Sequence, residues 1–392
     1  MDGKTLEALF DAMKQDDIAS FQHIIDYYVN PHEPIYQIPP NNILFGISPF
    51  PIVNIAASFG AFLCVSYLME HNIIENSVDG FNNTALHCAA FSGKVEILKI
   101  LLEHNYESNL LNKNGELPIH IASIYSNNHI VSFLTEGRLN KCDIKNYMGK
   151  TPLSLAVEKN NIDLAEYLIQ NCGCDVTVVD NYKNTLLHLA VQNLSGNTAP
   201  FLISINLINI NNINYSGETA LLLAAKKGSF DFFVNLLSFG SNPLILDKKG
   251  RSVLHYAIIS KNFDLVKFIL ENKLVYPAQE DANGMTPFHF AVKYGDLTMV
   301  QFISQYDISN INNSKNGMAP LHIACKHNKL EIVKFLLSFK NIDHNIENLY
   351  GQSILHIASR LNSIDILLFL LGEFDQNNNK FDISLPDVHG VF

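Results

Sequence analysis

One short phrase returns along this chain in fixed phase, most legibly as Gly284-Met285-Thr286-Pro287-Phe288-His289-Phe290-Ala291 and as Gly317-Met318-Ala319-Pro320-Leu321-His322-Ile323-Ala324. Its threonine slot falls at Pro51, Thr84, Leu117, Thr151, Thr185, Thr219, Ser252, Thr286, Ala319 and Ser353, at intervals of 33 or 34 residues. Length alone would divide 392 residues into two or three globular domains. A phase-locked period of this size instead predicts an array in which each layer contacts its neighbours.

The residue types say how one unit is built. Thr286-Pro287 opens a short helix, because the hydroxyl can cap free N–H groups and proline has no N–H to leave unpaired in the first turn. A small residue follows at Ala56, Ala89, Ala122, Ala156, Ala190, Ala224, Ala257, Ala291, Ala324 and Ala358, thin enough for successive inner helices to approach closely. The turn slot holds Gly60, Gly93, Gly228 and Gly295, or Asn160, Asn328 and Asn362, residues that tolerate a left-handed backbone. Outer helices follow, as in Val95-Glu96-Ile97-Leu98-Lys99-Ile100-Leu101-Leu102, with apolar residues at helical spacing. Polar fingers ending in Gly115, Gly149, Gly217, Gly250, Gly284, Gly317 and Gly351 lead to the next unit. In the fifth unit Leu194 holds the turn slot and Pro200 falls near the outer-helix start, which predicts a distorted turn there.

The period and the Thr-Pro-Leu-His-x-Ala phrase together resemble the ankyrin repeat, over roughly residues 46–385. The resemblance implies an all-α solenoid of about ten helix-turn-helix layers with short β-hairpin fingers. It also implies a non-catalytic scaffold or adaptor that binds a macromolecular partner on a concave face of finger tips and inner helices. Residues 1–45 are expected to form an N-terminal helical cap and a linker punctuated by Pro31, Pro34, Pro39 and Pro40. Residues 386–392 read as a further repeat cut short, so a second reading is a targeting array of a longer protein with a catalytic or membrane domain.

Composition narrows the function classes. The net charge of −11 disfavours nucleic acid as partner, and no segment has the apolar length of a membrane span or a secretory signal. Six cysteines without framework spacing suit reduced thiols in the cytoplasm. His87, His120, His188, His255, His289, His322 and His356 share one repeat slot, and neighbouring copies are expected about 8–10 Å apart, too far to share a zinc ion. The resemblance gives this histidine a structural role, bonded to the threonine slot and the finger backbone. Cys172-Gly173-Cys174 is one residue short of a Cys-x-x-Cys, and no further ligands are evident near it in sequence. Gly149-Lys150-Thr151 ends like a phosphate-binding loop, but Ile144 stands where its first glycine must be. No metal, cofactor or catalytic group is expected.

The positions that the period leaves free are the candidates for binding. Nine of the 25 in the last five units are basic, namely Lys226, Lys227, Lys248, Lys249, Arg251, Lys293, Lys315, Lys326 and Arg360. Composition alone would place about two there. This set predicts a solvent-facing basic patch suited to an acidic protein or another anionic ligand, with Asp247 and Asp281 close enough to dilute it. In the second to fifth units Phe81, Phe91, Ile124, Tyr125, Tyr147, Met148 and Tyr182 hold the equivalent positions, with little charge. Aromatic and methionine side chains are enriched at contact surfaces.

Overall fold

The computed structural model describes residues 3–35, 50–73, 78–136, 142–205, 208–309, 311–312 and 317–376. The central part of the expected linker, Lys315 of the basic set and the expected truncated repeat lie outside the described residues. Twenty-two helices and no strands occur among the described residues. The chain divides into two compact units, Met1–Ile208 and Asn209–Phe392.

In the first unit, inner helices α3 (Ile52–Phe59), α5 (Ala85–Ser92), α7 (Pro118–Ile124), α9 (Pro152–Glu158) and α11 (Leu186–Gln192) pack in succession. Each pairs with its own outer helix: α4 (Phe62–Glu70), α6 (Val95–Glu103), α8 (Asn128–Glu136), α10 (Ile162–Gln170) and α12 (Thr198–Ser204). The second unit repeats the arrangement. Its inner helices are α13 (Ala220–Lys227), α15 (Val253–Ile259), α17 (Pro287–Tyr294), α19 (Pro320–Lys326) and α21 (Ile354–Arg360). Its outer helices are α14 (Phe230–Ser238), α16 (Phe263–Glu271), α18 (Leu297–Ser304), α20 (Leu330–Leu337) and α22 (Ile364–Gln376).

All ten threonine-slot residues are helix N-caps, including Pro51, Leu117 and Ala319, which have no hydroxyl. All ten small-slot alanines are fully buried, so the inner helices meet where a larger side chain would hold them apart. The turn residue nine positions after the threonine slot is left-handed in nine units, including Ser126 and Lys261. Leu194 adopts this conformation as well, at φ 54°, so the expected distortion is not in its turn. It lies one step later. Helix α12 begins at Thr198, and its N-terminal N–H groups at Asn197 and Thr198 are met by Asn160 Oδ1 of the preceding turn, at 3.1 and 3.2 Å. The exceptional turn is Gly295, which is extended at φ −79° and ψ −179°.

Two further helices precede the first phrase, α1 (Gly3–Gln15) and α2 (Ile18–Tyr28). Asp16 between them is left-handed at φ 53°, and α2 starts two residues on, as outer helices start after their turns. The Asp16 carboxylate accepts from Leu63 N–H at 2.9 Å and Cys64 N–H at 3.2 Å, which caps α4. This pair therefore stacks on α3 and α4 with the geometry of one more layer, although it lacks the phrase.

Candidate functional site

The finger and inner-helix face is built by three sets of hydrogen bonds. The first sits in the fingers. Asp79, Asn112, Asn146, Asp180, Asn214, Asp247, Asp281 and Asn348 stand five residues before the threonine slot. One oxygen of each accepts from the backbone N–H groups two and four residues on, as Asp79 does from Phe81 and Asn83 at 2.8 Å each. These side chains fold the finger and are mostly buried, so Asp247 and Asp281 are structural carboxylates as well as neighbours of the basic set. Their regular spacing was available in the sequence as a signal.

The second set ties finger to finger. Lys113 N–H donates to Phe81 O at 2.8 Å, Tyr147 N–H to Asn114 O at 2.9 Å and Asn181 N–H to Met148 O at 3.0 Å. In the second unit Lys248 N–H donates to Ser216 O at 3.0 Å and Ala282 N–H to Lys249 O at 2.7 Å. The fingers are turns joined by this ladder. The expected β-hairpins are reduced to one isolated bridge among the described fingers, Val179 to Thr185. Close approach explains the finger glycines: a Cβ on Gly217 would lie 2.7 Å from Lys248 N, and φ there is +78°. Asn82 and Lys183 take the same left-handed conformation in the two described fingers without glycine.

The histidines supply the third set. His87 Nδ1 accepts from Thr84 N–H at 3.1 Å, so its proton resides on Nε2, which donates to Glu116 O at 2.9 Å at the base of the next finger. His255 repeats this with Ser252 N–H and Met285 O, and His322 with Ala319 N–H and Gln352 O. Asn54, in the slot of the first unit, donates to Asn83 O at 2.8 Å in place of a ring. Burial pushes the imidazoles of His87 and His255 down to about 4 and lowers those of His120 and His322. Neutral, spoken-for rings on successive layers have no ligand atoms to offer a metal.

On this frame the aromatic set faces solvent. Phe81, Tyr125, Tyr147, Met148 and Tyr182 are exposed, with Tyr147 at 65% and Tyr182 at 62%. Phe91 is half-buried and meets Tyr125 edge to face, with ring centroids 4.6 Å apart. Ile124 is half-buried beside them.

The basic set is less uniform than its positions suggest. Lys227, Lys248, Lys249, Lys326 and Arg360 are exposed. Lys226 Nζ is 2.7 Å from Glu218 Oε1, and Glu218 also accepts from the Tyr256 hydroxyl at 3.2 Å, the same hydroxyl lying 2.6 Å from Asp247 Oδ2. Lys293 lies over the Tyr294 ring, 4.9 Å from its centroid. Arg251 does not face solvent as expected: its side chain is 23% exposed, lies over the Phe290 ring and approaches Asp281 Oδ2 at 3.8 Å. Lys150, the lysine of the phosphate-loop look-alike, is paired with Glu158 at 2.6 Å and is half-buried.

The helical layers, glycine-ended fingers and slot histidines define a helical repeat protein. The family profile described as "Ankyrin repeats (3 copies)" matches residues 9–110, 104–180, 170–245, 221–313 and 305–382, and the chain belongs to the ankyrin-repeat family. It is 30% identical over 160 residues to human transient receptor potential cation channel subfamily A member 1, which covers 39% of this chain and 14% of that protein. It is 26% identical over 284 residues to the mouse B-cell lymphoma 3 protein homolog, covering 70% of this chain and 54% of that one. It is 27% identical over 284 residues to the NAD-dependent deacetylase sir2B of Dictyostelium discoideum, covering 68% of this chain and 34% of that protein. The chain thus spans between about a seventh and about half the length of these relatives. Ankyrin repeats generally mediate protein–protein interaction and are typically non-catalytic. No helix among the described residues is long and apolar enough to cross a membrane.

Proposed function

We propose that this chain is a non-catalytic adaptor and that a protein partner docks on the finger and inner-helix face of the first unit, the concave face of the family. The observation that carries this is the ladder, which holds exposed Phe81, Tyr147, Met148 and Tyr182 on hydrogen-bonded neighbouring fingers. Rigid aromatic anchors lose little side-chain entropy on binding, and backbone ties remove most of the loop entropy that docking would otherwise cost. Affinity capture with the intact chain tests it. The triple substitution Phe81→Ser, Tyr147→Ser, Tyr182→Ser should lose the captured protein while Lys248→Glu with Lys249→Glu keeps it.

The reverse outcome would move the site to the second unit. That second reading is supported by exposed Lys227, Lys248, Lys249, Lys326 and Arg360, and it selects an acidic partner. Because the relatives carry their matched regions within longer chains, we also propose a targeting role within a larger protein as the alternative to a free adaptor. Cytoplasmic residence is part of the proposal, supported by the buried free thiols Cys64, Cys88 and Cys325.

A further inference from the structure

In sequence nothing beside Cys172-Gly173-Cys174 completes a ligand set, but the fold brings Cys142 and Asp143 to it. These two residues precede the fourth finger, and Cys174 lies beyond the end of α10 in the next layer. Cys142 Sγ, a carboxylate oxygen of Asp143 and Cys174 Sγ all lie within 4.8 Å of one another. Ligand atoms on a tetrahedral zinc ion, at about 2.3 Å for sulfur and about 2.0–2.2 Å for oxygen, are roughly 3.3–3.8 Å apart, so side-chain adjustments of about 1 Å close the site.

We propose that Cys142, Cys174 and Asp143 form a binding site for a thiophilic divalent cation of the zinc class, joining the fourth and fifth layers. Two of the donors are held by hydrogen bonds, and the Cys142 thiol donates to Cys172 O at 3.7 Å. Asp143 Oδ1 accepts from Asp175 N–H at 3.1 Å, which fixes the carboxylate plane and leaves its other oxygen available. Binding a divalent ion there replaces two S–H protons, which leave to solvent. Among the described residues the group holds three protein ligands, Cys172 is not one of them, and Asp143 is its exposed member.

Cobalt(II) supplies the test, since bound thiolates give it charge-transfer absorption. The reduced, metal-free full-length chain should bind one equivalent of Co²⁺ with such a band, and Zn²⁺ should bleach it. Cys142→Ser with Cys174→Ser should abolish the band. Asp143→Ala, at an exposed side chain, should keep the fold and weaken Zn²⁺ affinity by about tenfold or more. Cys172→Ser should leave the affinity unchanged. The proposal is overturned by a wild-type chain without the band, by a band that survives the double cysteine substitution, or by a Cys142–Cys174 disulfide that persists in glutathione buffer with Zn²⁺ present.

Discussion

A buried imidazole that stays neutral makes folding depend on pH. His87 and His255 have folded values near 4 against 6.5 for the free side chain, so below pH 6.5 the unfolded chain takes up protons that the folded chain refuses. Their stabilisation is complete above pH 6.5 and is lost progressively as pH falls towards 4, by about 3 kcal/mol for each ring. Urea midpoints measured at pH 7 and pH 4.5 should show it. His87→Asn should flatten the profile at a cost of about 1–3 kcal/mol at pH 7, because asparagine keeps one donor, as Asn54 does, and loses the other contact. A variant whose profile stays as steep as the parent's would remove the histidine from the explanation. The left-handed finger slot gives a second prediction at this scale. Lys183→Gly should stabilise by about 1 kcal/mol by relieving φ 59°, whereas Gly217→Ala should destabilise by more than 1 kcal/mol, since its Cβ meets the backbone of the next finger. Thermal melts of the two variants should move in opposite directions.

Between elements, the residue just before an outer helix reaches back to the layer before it at Asn127, Asn161, Asn262 and Lys329. Asn127 Nδ2 donates to Ala90 O and Phe91 O at 2.8 Å, and Asn262 Nδ2 to Gly228 O at 2.8 Å. Lys329 does the same at the exceptional turn, donating to Val292 O at 2.9 Å, Lys293 O at 3.0 Å and Gly295 O at 2.6 Å at the end of α17. Lys329→Met keeps the stem and removes all three donors. It should cost about 2–3 kcal/mol in a urea titration, and a loss below 0.5 kcal/mol would show that water replaces the ammonium readily. Helix order, N-caps and buried alanines were legible in the sequence because each depends on residues within one unit. The start of α12 was not, since it depends on Asn160 from the preceding layer. Gly295 escaped for the same reason: its neighbour Lys329 lies 34 residues on. The candidate aromatic surface could be read from phase alone, whereas the inward turn of Arg251 needed Phe290 and Asp281 from the next layer.

At the scale of the whole molecule, the exposed finger side chains differ in chemistry between the two units, and charge substitutions separate surface from framework. Lys248→Glu with Lys249→Glu alters exposed side chains whose backbone groups alone serve the ladder, so melting should be unchanged. Arg251→Glu places a carboxylate against buried Asp281 and should lower the melting temperature by several degrees, which calorimetry would detect. If both variants melt alike, Arg251 is a surface residue in solution. The ladder has one more consequence. From the acidic or amide residue of a finger to the start of the following outer helix, the count is 16 residues in seven of the eight units that have such a residue, the fifth being the exception, so the difference between 33 and 34 residues is absorbed after the outer helix begins and before the next finger. Gene-level insertions in that stretch leave the finger ladder in register, whereas one codon gained within a finger would mispair it with both neighbours. Such a chain can acquire new partners by exchanging side chains or whole repeats, and its fingers are the last place where it can change length.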